Sequence, residues 1–120
     1  MTKKIAIPME DGMLATHFGH CQYFAIVDVL NNQIVGVTQE MPPEHRPGVY
    51  PSWIASLGVT DVIAGGIGQR AIDLFNQRGI NVFVGAPVKK ETEIVTDFLA
   101  GKLSLSANYC NHDADHHSYC

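Results

Sequence analysis

His17-Phe18-Gly19-His20-Cys21 sets two imidazoles and a thiol within five residues, on a loop that glycine lets bend. Imidazole and thiolate suit iron, zinc, copper and iron–sulfur or related clusters, whereas Mg²⁺ prefers carboxylates. The same residues admit a packing reading. Phe18 and Cys21 would then turn inward and the histidines would be ordinary loop residues, since free cysteine is among the most buried residue types. His45 lies in a proline-rich loop, PPEHRPG, where the alternative to a ligand is a surface imidazole. The last eleven residues, CNHDADHHSYC, offer Cys110, His112, His116, His117 and Cys120. Four of these would satisfy a tetrahedral metal, although the spacing matches no standard zinc module. A polar segment without fixed structure and a Cys110–Cys120 disulfide are the alternatives, the latter opposed by a reducing cytoplasm.

A further motif carries no side-chain chemistry. Gly65-Gly66-Ile67-Gly68 follows an apolar run and opens an amphipathic helix. Glycines there expose backbone N–H groups at a helix N-terminus, which can hold an anion or can simply make a tight corner. Arg70, in the first helical turn, either adds positive charge to such a site or faces water.

Other function classes find little support. The formal charge is −4 and no basic cluster occurs, which argues against a nucleic-acid surface. No stretch approaches a membrane span or a signal-peptide core, so a cytoplasmic protein is expected. Three cysteines, an odd number, point to free or metal-bound thiols. Metal-dependent phosphoryl chemistry needs convergent carboxylates, but Lys3 to Met9 has none, and Asp28, Asp61 and Asp73 fall at scattered positions. Neither a Ser-His-Asp signature nor a Walker-type lysine is present. A non-enzymatic role is expected.

The elements that must position these residues follow from periodicity. Strands are expected at Lys3 to Met9, Tyr23 to Val29, Gln33 to Glu40, Asp61 to Ala64 and Ile80 to Val84. Asn31-Asn32 makes the second and third an antiparallel hairpin. A short helix opens at Pro51 and ends before Gly58. A second places Ala71, Leu74 and Phe75 on one face, and a third runs from Lys89 to Ala100 with Ile94, Val95, Phe98 and Leu99 inward. If the fourth strand lies parallel beside the first, the HFGHC loop, the PPEHRPG loop and the glycine turn share one sheet edge, where open α/β sheets bind ligands. The expected division is one domain over 1–101 and a Cys/His-rich, flexible tail over 102–120.

HFGHCQYFAIVDV, the proline-rich loop leading into PSWIASLGV, and DVIAGGIGQRAIDLFNQRGINVFVGA together resemble the dinitrogenase iron–molybdenum cofactor-binding family. That family includes the nitrogenase-cofactor carriers and the carboxy-terminal domain of the cofactor maturase. The resemblance spans Lys3 to Gly101. It implies an α/β, ribonuclease H-like fold: three antiparallel strands followed by parallel β-α units in one mixed five-stranded sheet. It also implies a non-catalytic carrier for iron–sulfur or iron–molybdenum-type clusters in assembly, storage or delivery, working with a cluster donor or acceptor protein. His17, Gly19 and Cys21 match its HFG-x-C loop, and Gly65, Gly66 and Gly68 match its glycine turn. Cys110 and His112 resemble a Cys-x-His found after the last helix in some members. With the cleft reading added, His17, Gly19, His20, Cys21, His45, the GGIG turn and Arg70 form the expected cluster site. The alternative is a zinc, nickel or copper chaperone or sensor that uses only the tail.

Overall fold

The computed structural model describes residues 2–44 and 48–109. Strand β1 (Thr2–Glu10) is followed by a two-residue strand β2 (Met13–Leu14), then β3 (Tyr23–Leu30) and β4 (Gln33–Glu40). Helix α1 (Val49–Ser56), β5 (Asp61–Ala64), α2 (Gln69–Gln77), β6 (Asn81–Val84), α3 (Glu91–Leu99) and β7 (Ala107–Tyr109) complete the chain. The sheet runs β4-β3-β1-β5-β6-β7, with β2 paired to β1. β1 is antiparallel to β3 and parallel to β5, with Ile5 opposite Asp61 and Ala6 opposite Val62. The placement on which the shared edge depended is therefore present.

Alternation along the strands builds two cores, because successive side chains leave a strand on opposite faces. Ala6, Phe24, Ile26, Val62, Ala64 and Val82 meet α1 and α2 through Ile54, Ile72 and Phe75. Ile5, Ile7, Met9, Ala25, Val27, Val29, Ile63 and Phe83 meet α3 through Ile94 and Val95. Central strands apolar on both faces are what a sheet covered on both sides requires. The one buried charged or polar side chain among the described residues, Asp61, accepts from Thr60 Oγ1 (2.7 Å) and Asn81 Nδ2 (3.0 Å). Those bonds satisfy it at the end of β5 away from the glycine turn. Among the described residues no helix is long and apolar enough to cross a membrane.

Two expectations need correction. The inward face of α2 is centred on Ile72 and Phe75, while Ala71 and Leu74 are only half-buried because they border an open cavity. The five expected strands are all present, but β2 and β7 join them. Neither is legible in sequence, because two or three residues carry no periodicity and gain their conformation from pairing. β7 lies beyond residue 101. Its residues pair antiparallel with β6, and Leu103 and Leu105 pack on the α3 core. Asn76 Nδ2 donates to the carbonyl oxygens of Ile80 (2.9 Å) and Tyr109 (3.1 Å), tying β7 to the end of α2. Residues up to Tyr109 thus pack on the sheet and its cores, and residues 110–120 lie outside the described part.

Gly85, just after β6, stands at φ 90° and packs directly on Ser106, the residue before β7. A side chain there would both strain the backbone and overlap Ser106. Gly85→Ala is expected to cost about 1–2 kcal/mol from the backbone alone and to release β7. Loss of amide-exchange protection at Ala107–Tyr109 would show it; unchanged protection would contradict the role given to Gly85.

Candidate functional site

Between β1 and β5 the connection order reverses, with β3 and β4 to one side and β6 to the other. Ligands of open α/β sheets collect outside the strand ends at such a point. Two loops leave it, one after β2 carrying residues 15–21 and one from β5 carrying the glycine turn. They are stitched to each other. The Phe18 N–H donates to Gly66 O (2.9 Å), and the Gly66 N–H donates to Thr16 O (3.1 Å). A Cβ on Gly66 would stand 3.0 Å from that Thr16 oxygen, so only glycine allows this approach without displacement.

Phe18 anchors the first loop. It is only 6% exposed, and its ring packs edge-on against Phe24, Tyr50 and Phe75 at 5.5, 5.9 and 5.6 Å between centroids. Edge-to-face contacts of this kind add stability beyond area burial. Burying Phe18 turns the neighbouring His17 and His20 outward, and both are exposed with their rings 6.2 Å apart.

Above the anchor lies a cavity of ≈ 520 Å³, within the usual range for small-ligand sites. Its floor and walls are Phe18, Tyr50, Pro51, Ile67, Ala71 and Leu74, and its polar edge is His17, His20 and Arg70 beside Gly19, Gly48, Gly66 and Gly68. Among the described residues that line it, no carboxylate is present. Arg70 is exposed and makes no ion pair with another described residue. The cavity therefore has an apolar base and a cationic, imidazole-bearing rim, a combination suited to a polarisable anion.

The expected site residues divide accordingly. His17, Gly19, His20, Gly66, Ile67, Gly68 and Arg70 line the cavity together. Gly65 lies behind it, its carbonyl accepting from the Gly85 N–H (2.9 Å). Cys21 does not line it. Its half-buried thiol packs against the aromatic core, and burial pushes it up to about 11, partly opposed by backbone hydrogen bonds at Cys21 and Met9 and reinforced by Glu10. Burial also raises Tyr50, with the Cys21 charge adding to it. Phe18 and Cys21 pack inward, whereas His17 and His20 line the cavity. No three His, Cys, Asp or Glu side chains among the described residues come together to hold one metal ion. His45, Cys110, His112, His116, His117 and Cys120 lie outside the described residues.

The glycine turn also departs from expectation. The Gly66 N–H is engaged by Thr16, so it is not an anion donor. The N–H groups of Ile67, Gly68, Gln69 and Arg70, at the uncapped start of α2, have no acceptor among the described residues. Sequence reasoning missed Phe18, Tyr50, Pro51, Ala71 and Leu74 as cavity walls, because apolar residues at helix spacing read as core.

Residues 1–101 match the family described as Dinitrogenase iron-molybdenum cofactor. The chain belongs to that family. The family is one of iron–molybdenum cofactor or cluster binding. The uncharacterized protein MJ0580 of Methanocaldococcus jannaschii is 35% identical over 106 residues, covering 83% of this chain and 88% of that protein. The crystal structure of PH0822 superposes with a TM-score of 0.80 at 33% identity, covering 86% of this chain and 94% of the other. The apo form of the orange protein (ORP) from Desulfovibrio gigas gives a TM-score of 0.74 at 21% identity, covering 89% and 95%, a likeness of fold.

Proposed function

We propose that this iron–molybdenum cofactor family protein holds an anionic metal–sulfur cluster in the cavity between the HFGHC loop and α2, and carries it in cluster assembly, storage or delivery. The observation that carries this reading is the cavity itself: an apolar, aromatic base under a rim of His17, His20 and Arg70, without a carboxylate in its described lining. Sulfide faces are soft and weakly hydrated, so they tolerate contact with Phe18, Tyr50 and Leu74. The net negative charge of a cluster is met by Arg70 and by the free N–H groups opening α2.

Few direct ligands suit a carrier, which must release its cargo to an acceptor protein. Exposed His17 and His20 can reach a metal at the rim without being bound up in the fold. Cys21 is a different kind of donor. Because its thiol is neutral at physiological pH, ligation there would release a proton and require the half-buried side chain to be uncovered. Exchange of cargo is therefore assigned to the histidines and Arg70, with Cys21 as a ligand only for a cluster that stays.

Anaerobic titration with tetrathiomolybdate, a dianion faced by sulfide, tests the reading against molybdate, its oxygen-faced counterpart. Saturable binding of the thio-anion alone is expected, weakened roughly tenfold or more in Arg70→Ala, the size of one lost hydrogen bond to a charged group. A chain ending at Tyr109, which keeps β7, should bind equally well. Binding lost with the tail would instead favour the metal chaperone that uses Cys110 to Cys120. Binding to neither protein would overturn the carrier.

A further inference from the structure

The three glycines of the GGIG turn do not do the same thing. None has a positive φ among the described residues, so backbone conformation requires glycine at none of them. Gly66 is explained by the fold, because a Cβ would press on Thr16 O. Gly65 is close to the same limit, with a Cβ 3.4 Å from both Ala15 O and Leu14 Cδ2. Gly68 has no such reason. Its backbone is ordinary extended chain, at φ −75° and ψ 154°, and among the described residues a Cβ there would meet nothing within 4 Å.

Gly68 is moreover the N-cap of α2, the position where serine, threonine, aspartate or asparagine would satisfy an open N–H and stabilise the helix. The fold forgoes that cap. What stands beside Gly68 is the cavity, with Arg70 two residues on and His17 and Ile67 in the same wall.

We propose that Gly68 is the ligand-contacting glycine of this turn: its missing side chain lets a sulfide-faced anion reach the backbone at the start of α2, whereas Gly65 and Gly66 serve loop packing. This rests on the cavity being the cluster site. A methyl group at 68 would occupy the space between the cargo and the helix, and a hydroxyl would also satisfy an N–H that the anion otherwise takes. Specificity for a bulky sulfide face over a small hydrated anion follows, because the larger atoms need the contact that glycine leaves open.

The test compares Gly68→Ser and Gly66→Ala with the unaltered full-length protein, reading thermal unfolding and anaerobic tetrathiomolybdate binding for each. Gly68→Ser is expected to unfold at the same temperature or slightly higher, because it restores the cap, and to bind roughly tenfold more weakly, the effect of overfilling a close contact. Gly66→Ala is expected to unfold at a lower temperature. Equal binding by Gly68→Ser and the unaltered protein would overturn the role of Gly68 and leave the carrier reading standing. A lowered unfolding temperature in Gly68→Ser would also overturn it, since glycine would then be needed by the fold. Absence of binding in the unaltered protein would overturn the carrier reading, and this proposal with it.

Discussion

Phe18→Ala is expected to remove about 3–5 kcal/mol of stability, the cost of truncating a buried aromatic ring. A domain of this size has only about 5–15 kcal/mol in total, so this one change approaches the folding limit. The ring is 6% exposed and sits among Phe24, Tyr50 and Phe75, so no neighbour is free to collapse into the space without leaving its own edge-on contact. Phe18 is also the floor of the cavity and the residue whose N–H holds Gly66. Stability and site geometry should therefore fall together, with tetrathiomolybdate binding lost at temperatures where the variant is still folded. Urea unfolding checks the first part. A loss below about 1 kcal/mol would mean that the ring is not the anchor described. Phe18→Leu keeps most of the volume and is expected to cost less while still weakening binding, because the ring face is gone.

Cys21 should alkylate with iodoacetamide about 100-fold more slowly near pH 7.5 than an unperturbed cysteine peptide, because only the thiolate reacts. The factor follows from a thiol moved from 9.0 to about 11, chiefly by burial. Mass mapping of the alkylated peptides separates Cys21 from Cys110 and Cys120 in the full chain. The rate should climb about tenfold per pH unit until about pH 11, as the thiolate fraction does. The same shift links to stability. The folded value lies above the unfolded one, so the neutral thiol favours the fold below pH 9.0, and that contribution is lost as pH rises from 9.0 towards 11. Rapid alkylation at neutral pH would place Cys21 at the cavity surface and return it to the ligand set.

These two residues show how far the motif could be read before folding it. His17-Phe18-Gly19-His20-Cys21 announces metal-compatible donors by type, and the histidines do reach the cavity. Spacing along an irregular loop has no period, however, so it does not say which side chains turn inward. That is settled by Phe18 entering an aromatic cluster assembled from β3, α1 and α2, after which Cys21 follows it into partial burial. Likewise the glycine turn was visible as a turn, but not the division of labour within it. Gly66 is needed because a segment fifty residues earlier runs past it, and only the parallel pairing of β1 and β5 brings that segment there.

By itself the sequence determined the strands β1, β3, β4, β5 and β6, the three helices, the hairpin at Asn31-Asn32 and the family. Apolar alternation, helix periodicity and turn chemistry are local, and each is written within a dozen residues. Tertiary structure alone decided that β7 joins the sheet through Tyr109, that Cys21 is a half-buried, neutral thiol, and that Arg70 lines a cavity. Each of these depends on contacts between segments far apart in the chain, whose burial and register no local pattern encodes.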